Sequence, residues 1–408
     1  MNMPEIRFEN FKNEWKHFSF KEITYKAGIK NSENLSLESY SISNELGFIP
    51  QKEQFENGGT MSKADKRMYF IVSSNSFAYN PARINVGSLG YYQGVKDVIV
   101  SSLYEVFKTS DIIDDLFLLY WFKTNIFKRM IEQYQEGGVR LYFFFDKLQK
   151  CQIKIPSLQE QQKIASYFQK LDSLIQTTSK KLASLKQIKA ASLQSMFPQE
   201  GETVPKVRFK GFEEEWEKER LCNIASRITR KNKNLESFTP LTISAIEGLV
   251  SQLTYFNNIV ASSNISGYYL IKNGEFAYNK SYSNGFPYGS IKRLDKFDMG
   301  VLSTLYIVFA LNKQNTSILS DYLVIFFNTT LWHHEIAKRA EEGARNHGLL
   351  NISAEDFLDI NIIYPKDLLE QQKIASYFCN LDRQISLQTQ RLEKLKQIKA
   401  ACLDKMFV

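Results

Sequence analysis

The chain has 408 residues, 43% hydrophobic and 24% charged, with a net charge of +8 and a pI near 9.0. That length holds two or three domains, each able to bury its own core, and the composition is ordinary for a soluble globular protein. It excludes a membrane-spanning chain, because no apolar run approaches the ~18 residues a spanning helix needs, and the four scattered cysteines (Cys151, Cys222, Cys379, Cys402) give neither a disulfide framework nor a metal site. The start, Met1 to Arg7, lacks the apolar core and small-residue cleavage site of a secretory signal, so the cytoplasm is the expected location. The positive excess points to a polyanionic partner. Most of it falls in two lysine-rich stretches, 158–197 and 368–408, so a globular part that binds DNA must gather its cations on one face.

Residues 1–156 read as a first globular head of mixed α/β character. The stretch Gly58 to Arg67 is glycine-rich and basic, the kind of loop that reaches into a groove, and offers Lys63, Lys66 and Arg67. Apolar runs at 69–72 and 98–107 predict strands, and Phe77-Ala78-Tyr79-Asn80 lies between them with Arg83 close behind. Asn80 has the side chain that pairs bidentately with adenine, although asparagine at a strand end is also a turn former. One amphipathic helix is predicted over about 112–135, stopping at Gly137. After it, Gly138 leads to Arg140; a glycine-rich turn presenting an arginine suits phosphate or guanine, both of which a guanidinium binds bidentately.

Residues 157–197 contain no glycine or proline, and apolar residues recur at Ile164, Phe168, Leu171, Ile175, Leu182, Leu185, Ile188 and Met196. Spacing of three and four marks a single stripe along a long helix that needs a partner. Pro198, Gly201 and Pro205 make 198–204 a linker. Residues 205–365 then read as a second head, and 366–408 as a second long helix with the matching stripe Ile374, Phe378, Leu381, Ile385, Leu392, Leu395, Ile398 and Met406. The second head offers Asn279, Lys280 and Tyr282 after its Phe-Ala-Tyr run, and Arg345, Asn346 and His347 beyond a helix predicted over about 321–342.

The second half is a copy of the first. Arg7-Phe8 and Trp15 return as Arg208-Phe209 and Trp216; Phe77 to Asn80 as Phe276 to Asn279; Ser101-Ser102-Leu103-Tyr104 as Ser303-Thr304-Leu305-Tyr306. The nine residues from Glu160 to Phe168 are identical to Glu370 to Phe378, and Leu185 to Ala191 to Leu395 to Ala401. The heads have diverged between these anchors and the helices have not. A first helix running from head one to head two, and a second starting at head two, pack along each other only if antiparallel. The predicted architecture is therefore two mixed α/β heads joined by a long antiparallel two-helix coiled coil.

No phosphate-binding Gly-x-x-x-x-Gly-Lys-Ser/Thr, no His-Glu-x-x-His and no Asn-Pro-Pro-aromatic motif occurs, so catalysis within the chain is not expected. The sequence resembles the specificity subunits of type I restriction–modification systems, on the duplicated Glu-Gln-Gln-Lys-Ile-Ala-x-x-Phe-x-x-Leu-Asp helix starts, the two heads and the stretch from Gly343 to Ser353. That resemblance implies two target-recognition domains, each reading one half of a split, asymmetric site in double-stranded DNA. It implies two methylation subunits that act on adenine, and restriction subunits as further partners. S-adenosylmethionine, ATP and magnesium would then belong to those subunits and none to this chain. The first head carries Leu141 to Phe145 where the second has its Asn-His-Gly-Leu-Leu stretch, a departure that weakens the parallel between Arg140 and Arg345. A reading from another class is a coiled-coil scaffold that binds proteins and does not read DNA; a steep salt dependence of DNA binding separates the two.

Overall fold

Four short antiparallel strands, ordered Thr24–Lys26, Glu105–Thr109, Ser76–Tyr79 and Leu89–Tyr92, make the central sheet of the first head. Successive strand side chains point to opposite faces. Phe77 and Tyr79 therefore enter one core with Phe107, and Ala78 enters another with Val106. Phe77 stacks on Phe107 with ring centroids 5.1 Å apart. The small Ala78 lets a second sheet approach, ordered Ile29–Lys30, Phe70–Val72, Val98–Val100, Ser39–Ser43 and Gly47–Pro50, in which Ser39–Ser43 runs parallel to Val98–Val100. Helices cover the Phe77 side.

This is a computed structural model, and it describes residues 3–54, 65–138, 140–199, 201–244, 247–258, 260–262, 264–281, 285–315, 317–340 and 350–408. It divides into two units, Met1–Lys180 with Thr389–Val408, and Lys181–Gln388. In the second unit the central sheet has the same order, Ala225–Arg227, Ile307–Leu311, Phe276–Asn279 and Ser290–Arg293, with Phe276 stacked on Phe309 at 5.2 Å. Two strand pairs, Leu241–Ser244 with Gly248–Ser251 and Tyr269–Lys272 with Met299–Leu302, stand where the first unit has one five-stranded sheet, and they are joined by a parallel bridge of Pro240 to Val301, with Val301 N donating to Thr239 O at 2.9 Å. Both heads are mixed α/β. Among the described residues no helix is long and apolar enough to cross a membrane.

Two expectations about the heads are corrected. The single helix predicted over 112–135 is two, Asp115–Trp121 and Asn125–Tyr134. Thr124 makes the break, donating its hydroxyl to Trp121 O at 2.7 Å and accepting from Phe127 N at 3.4 Å, so it ends one helix and caps the next. The second head breaks alike between Ser320–Phe326 and Leu331–Arg339, where the Thr329 hydroxyl donates to Phe326 O at 2.7 Å. The apolar run 98–107 forms two strands, because Ser101 to Tyr104 is a tight turn closed by Tyr104 N to Ser101 O (3.1 Å), and Ser303 to Tyr306, closed by Tyr306 N to Ser303 O (3.2 Å), divides Met299–Leu302 from Ile307–Leu311 in the same way.

The long helices are Leu158–Ser195 and Leu368–Lys405, 38 residues each. Within the first unit, Tyr167 meets Cys402 (Oη to Sγ 3.4 Å), Phe168 stacks on Phe407 (5.9 Å) and Asp172 pairs with Lys399 (2.5 Å). Within the second, Tyr377 meets Ser192 (3.0 Å), Phe378 lies against Phe197 (6.2 Å) and Asp382 pairs with Lys189 (2.5 Å). The start of one helix packs on the end of the other in each unit, so the helices run antiparallel there. Of the stripe, Ile164, Phe168, Leu171, Leu182, Leu185, Ile374, Phe378, Leu381 and Leu392 are buried, while Ile175, Ile385 and Leu395 are half-buried. Ile188 and Ile398 depart from it, at 47% and 36% exposed. Alternating steps of four and three run from Ile164 through Leu185 to Lys189, Ser192 and Met196, and that heptad hands the seam to Lys189 rather than Ile188. Lys399 replaces Ile398 for the same reason.

Candidate nucleic-acid interface

Each head is locked to its helix start by the residues of the duplicated motif. Arg7 donates two hydrogen bonds to the Glu160 carboxylate at 2.7 and 2.8 Å, and Arg208 makes the same pair with Glu370 at 2.7 and 2.8 Å. Both glutamates are 1% exposed. The next residue is a buried glutamine: Gln161 donates to Pro156 O and Ile112 O and accepts from Asp114 N, and Gln371 donates to Pro365 O and Ser317 O and accepts from Leu319 N. The glutamines satisfy the backbone and the glutamates hold the arginines where the head meets the helix, so the repeated Glu-Gln pair is framework chemistry. The arm carrying the arginine also reaches the other helix, through Ile6 N to Lys405 O (3.0 Å) in one unit and Val207 N to Ser195 O (2.9 Å) in the other.

On the first head a cleft of about 850 Å³ brings together Asn80, Arg83 and Arg140, which the sequence had singled out separately. A tight turn from Asn80 to Arg83 (Arg83 N to Asn80 O, 3.0 Å) sets Arg83 at the mouth. Arg140 is carried by a loop closed at its base by two hydrogen bonds between Glu136 and Tyr142, 2.9 and 2.8 Å. Gly137 in that loop sits at φ 130°, and a Cβ there would lie 2.2 Å from Arg140 O, so the bend requires glycine. Arg83 and Arg140 are exposed and pair with no carboxylate among the described residues. The walls add Lys26, Tyr104, Tyr142 and Phe144, the last two stacked at 5.4 Å, and Leu103, which is 73% exposed at the tip of its turn. Sequence reasoning missed these walls; the signal available was the Ser-x-Leu-Tyr repeat that ends in Tyr104 and Tyr306.

Asn80 is placed less openly. Its Oδ1 accepts from Ala82 N at 3.0 Å, an Asx turn, and Asn279 does the same for Ser281 N at 3.0 Å. Each asparagine thus spends part of its acceptor capacity on its own backbone. Arg67 pairs with the neighbouring Asp65 at 2.7 Å, and Lys66 is half-buried. In the second head Lys280 donates to Ile352 O at 3.3 Å, and burial lowers its pKa, so it anchors the segment that follows the head helices. Arg227 stands where Lys26 does in the first head, and pairs with Glu355 at 3.3 Å. Lys63, Tyr282, Arg345, Asn346 and His347 lie outside the described residues. Among the described residues, no three His, Cys, Asp or Glu side chains come together as a metal site.

The sequence profile of the type I restriction modification DNA specificity domain matches residues 13–187 and again 228–397. No curated protein sequence matches the chain. Among solved structures it is similar to the S subunit of a type I restriction–modification system from M. genitalium, at 14% identity over 100% of this chain and 99% of that one, with a TM-score of 0.58. Weaker likenesses are the HsdS subunit of Thermoanaerobacter tengcongensis (14% identity, 96% of each chain, TM-score 0.48) and a chain from a study of assembly and conformational transition in the type I system (13%, 96% and 97%, 0.49). The profile covers most of the chain, and the fold likeness runs its whole length. This chain belongs to the type I restriction–modification DNA specificity family and carries that domain twice.

Proposed function

We propose that each head reads one half of a split, asymmetric DNA site, and that the chain directs partner subunits to methylate adenine there or to cleave. The observation that carries this reading is shared framework with unshared clefts. Arg7–Glu160 recurs as Arg208–Glu370 at the same distances, and Gln161 recurs as Gln371. At matched positions the corners differ: Lys26, paired with Glu105, and Pro81 in one head stand where Arg227, paired with Glu355, and Lys280, donating to Ile352 O, stand in the other. Differing base-contact surfaces on a common frame supply two different half-site sequences. The near-identical helices offer two equivalent docking surfaces, hence two copies of a methylation subunit, with restriction subunits joining that assembly. The chain contributes specificity and no chemistry of its own; S-adenosylmethionine, ATP and magnesium are assigned to the partners.

The test is methylation sequencing of cells that express the chain with its methylation partner, together with a salt titration of DNA binding by the purified complex. The expected result is two short fixed sequences separated by a fixed gap, and affinity that falls steeply with salt. A single contiguous site, or a complex whose DNA binding ignores salt and sequence, overturns the reading in favour of a protein-binding scaffold.

A further inference from the structure

Beside the seam between the long helices, each unit holds two ammonium groups around one carboxylate. In the first unit Lys399 pairs with Asp172 at 2.5 Å, and the Tyr120 hydroxyl donates to the same carboxylate at 3.0 Å. Lys123, in the break between the two head helices, lies over the Tyr120 ring at 5.2 Å and lines one groove with Lys399. In the second unit Lys189 pairs with Asp382 at 2.5 Å, and Lys292 donates to Asn328 Oδ1 at 3.0 Å beside that pair.

The second ammonium comes from a different residue in each unit. Strand register makes Lys292 the counterpart of Gly90, since Ala277 pairs with Lys292 as Ala78 pairs with Gly90. The helix breaks make Asn328 the counterpart of Lys123, each preceding the threonine that bonds back to the first helix. A side chain at Gly90 has no room, because a Cβ would come 2.9 Å from Phe48 Cδ2 and 3.2 Å from Phe48 N. The first unit therefore delivers its lysine from the helix break, and the second from the strand. The residues differ and the charge arrangement is the same.

That arrangement is costly for the chain alone. Burial and then the neighbouring Lys189 push Lys292 down to about 8, against the pull of Asp382. Burial and then Lys399 lower Lys123 in the same way, although it keeps more contact with solvent. A carboxylate already paired with one lysine leaves the second ammonium without a counter-charge of its own. An incoming anion supplies it. The groove in the first unit, about 500 Å³, is lined also by Asn44, Asn85 and Lys128, by Asn125, whose amide donates to Asp404 Oδ1 at 3.4 Å, and by one acidic residue, Glu45, against the three lysines. Amide and ammonium donors without a specific base edge fit the oxygens of a phosphodiester.

We propose that this site, built once in each unit around Lys123–Lys399 and Lys292–Lys189, binds a backbone phosphate of duplex DNA irrespective of its sequence. The proposal rests on the DNA-reading function above and names a contact that positions the duplex without reading it. The test uses the chain in complex with its methylation partner, comparing wild type with the double variant Lys123→Met, Lys292→Met, in which methionine keeps most of the stem volume. Affinity is measured for a cognate and an unrelated duplex across a range of salt. The slope of log affinity against log salt is expected to shrink by about 0.9 for each lysine, about 1.8 in all, and equally on both duplexes. The methylated sequence stays the same and the thermal midpoint does not fall.

An unchanged salt slope overturns the proposal, and an unchanged slope with a lowered thermal midpoint assigns the lysines to structure. Loss of the methylation partner from the variant complex also overturns it, because the anion is then a carboxylate of that partner. If the wild-type complex itself shows neither a steep slope nor a preference for the cognate duplex, the DNA-reading function fails before any lysine is changed.

Discussion

Arg7→Ala removes one partner of the pair that fastens the first head to its helix. The Arg7 side chain is 12% exposed and Glu160 1%, and the two bonds between them measure 2.7 and 2.8 Å. Arg7 also donates to Asn13 O at 2.6 Å, which ties the arm to itself. Truncation strands a buried carboxylate, and breaking a buried pair from one side costs about 3–5 kcal/mol. Native-state hydrogen exchange read by mass spectrometry resolves the two units. Strand amides of the first unit are expected to exchange at least ~100-fold faster, from about 3 kcal/mol of lost opening free energy, while those of the second unit stay unchanged. Arg7→Lys keeps the charge but not the bidentate geometry, so it falls between. Replacing both residues by methionine restores most of the loss, since no bare charge is left. Arg208→Ala repeats the experiment in the second unit at the lower end of the range, because Arg208 Nη1 already lacks an acceptor. A loss below about 1 kcal/mol in Arg7→Ala refutes the reasoning, for that is the scale of an exposed pair.

Arg83→Ala and Arg140→Ala should each weaken cognate DNA binding by about 1–3 kcal/mol in a binding titration, without changing the thermal midpoint, because both are exposed and unpaired. Arg345→Ala is expected to cost a similar ~1–3 kcal/mol; unchanged affinity would assign that residue to structure. Leu235→Asn should raise stability by about 1 kcal/mol in thermal or urea unfolding, since Leu235 sits at φ 52° where the first head has Asn34 at φ 53°. Lys292→Met should raise the thermal midpoint at pH 7, and its lead over wild type should shrink as pH rises from about 8 toward 10. The folded-state pKa of Lys292 lies below its ordinary value, so the unfolded chain binds more protons in that window and wild type gains stability as pH rises through it. A lead that stays constant across the window refutes this.

The long helices were legible because period and identity are written in the residues, and 158–197 and 368–408 needed no contact information. The error at Ile188 has a simple cause: hydrophobicity alone prefers isoleucine, whereas the heptad carries on to Lys189 and its carboxylate partner across the seam. Strand runs are legible in the sequence and their breaks are not, because a tight turn of Ser-x-Leu-Tyr contains no glycine or proline. Thr124 and Thr329 hid the helix breaks for the same reason, a hydroxyl doing what glycine usually signals. Arg83 and Arg140 stand far apart in the sequence; that they line one cleft depends on pairings between residues some sixty apart, such as Phe143 N with Pro81 O at 3.0 Å. The Arg7–Glu160 pair spans 153 positions and is marked in sequence only by its recurrence.

The two units are interleaved along the chain: the first is closed by Thr389–Val408. Phe407 fills the core between Phe117 (5.3 Å) and Phe168 (5.9 Å), and Lys405 O receives Ile6 N. During synthesis the second unit can therefore finish folding before the first, although its head is made later. A ribosome that stalls before residue 389 releases a chain whose earliest-made head has an open apolar core, the kind of surface chaperones and proteases recognise. Whether the earlier-made head can close thus depends on translation having passed residue 389.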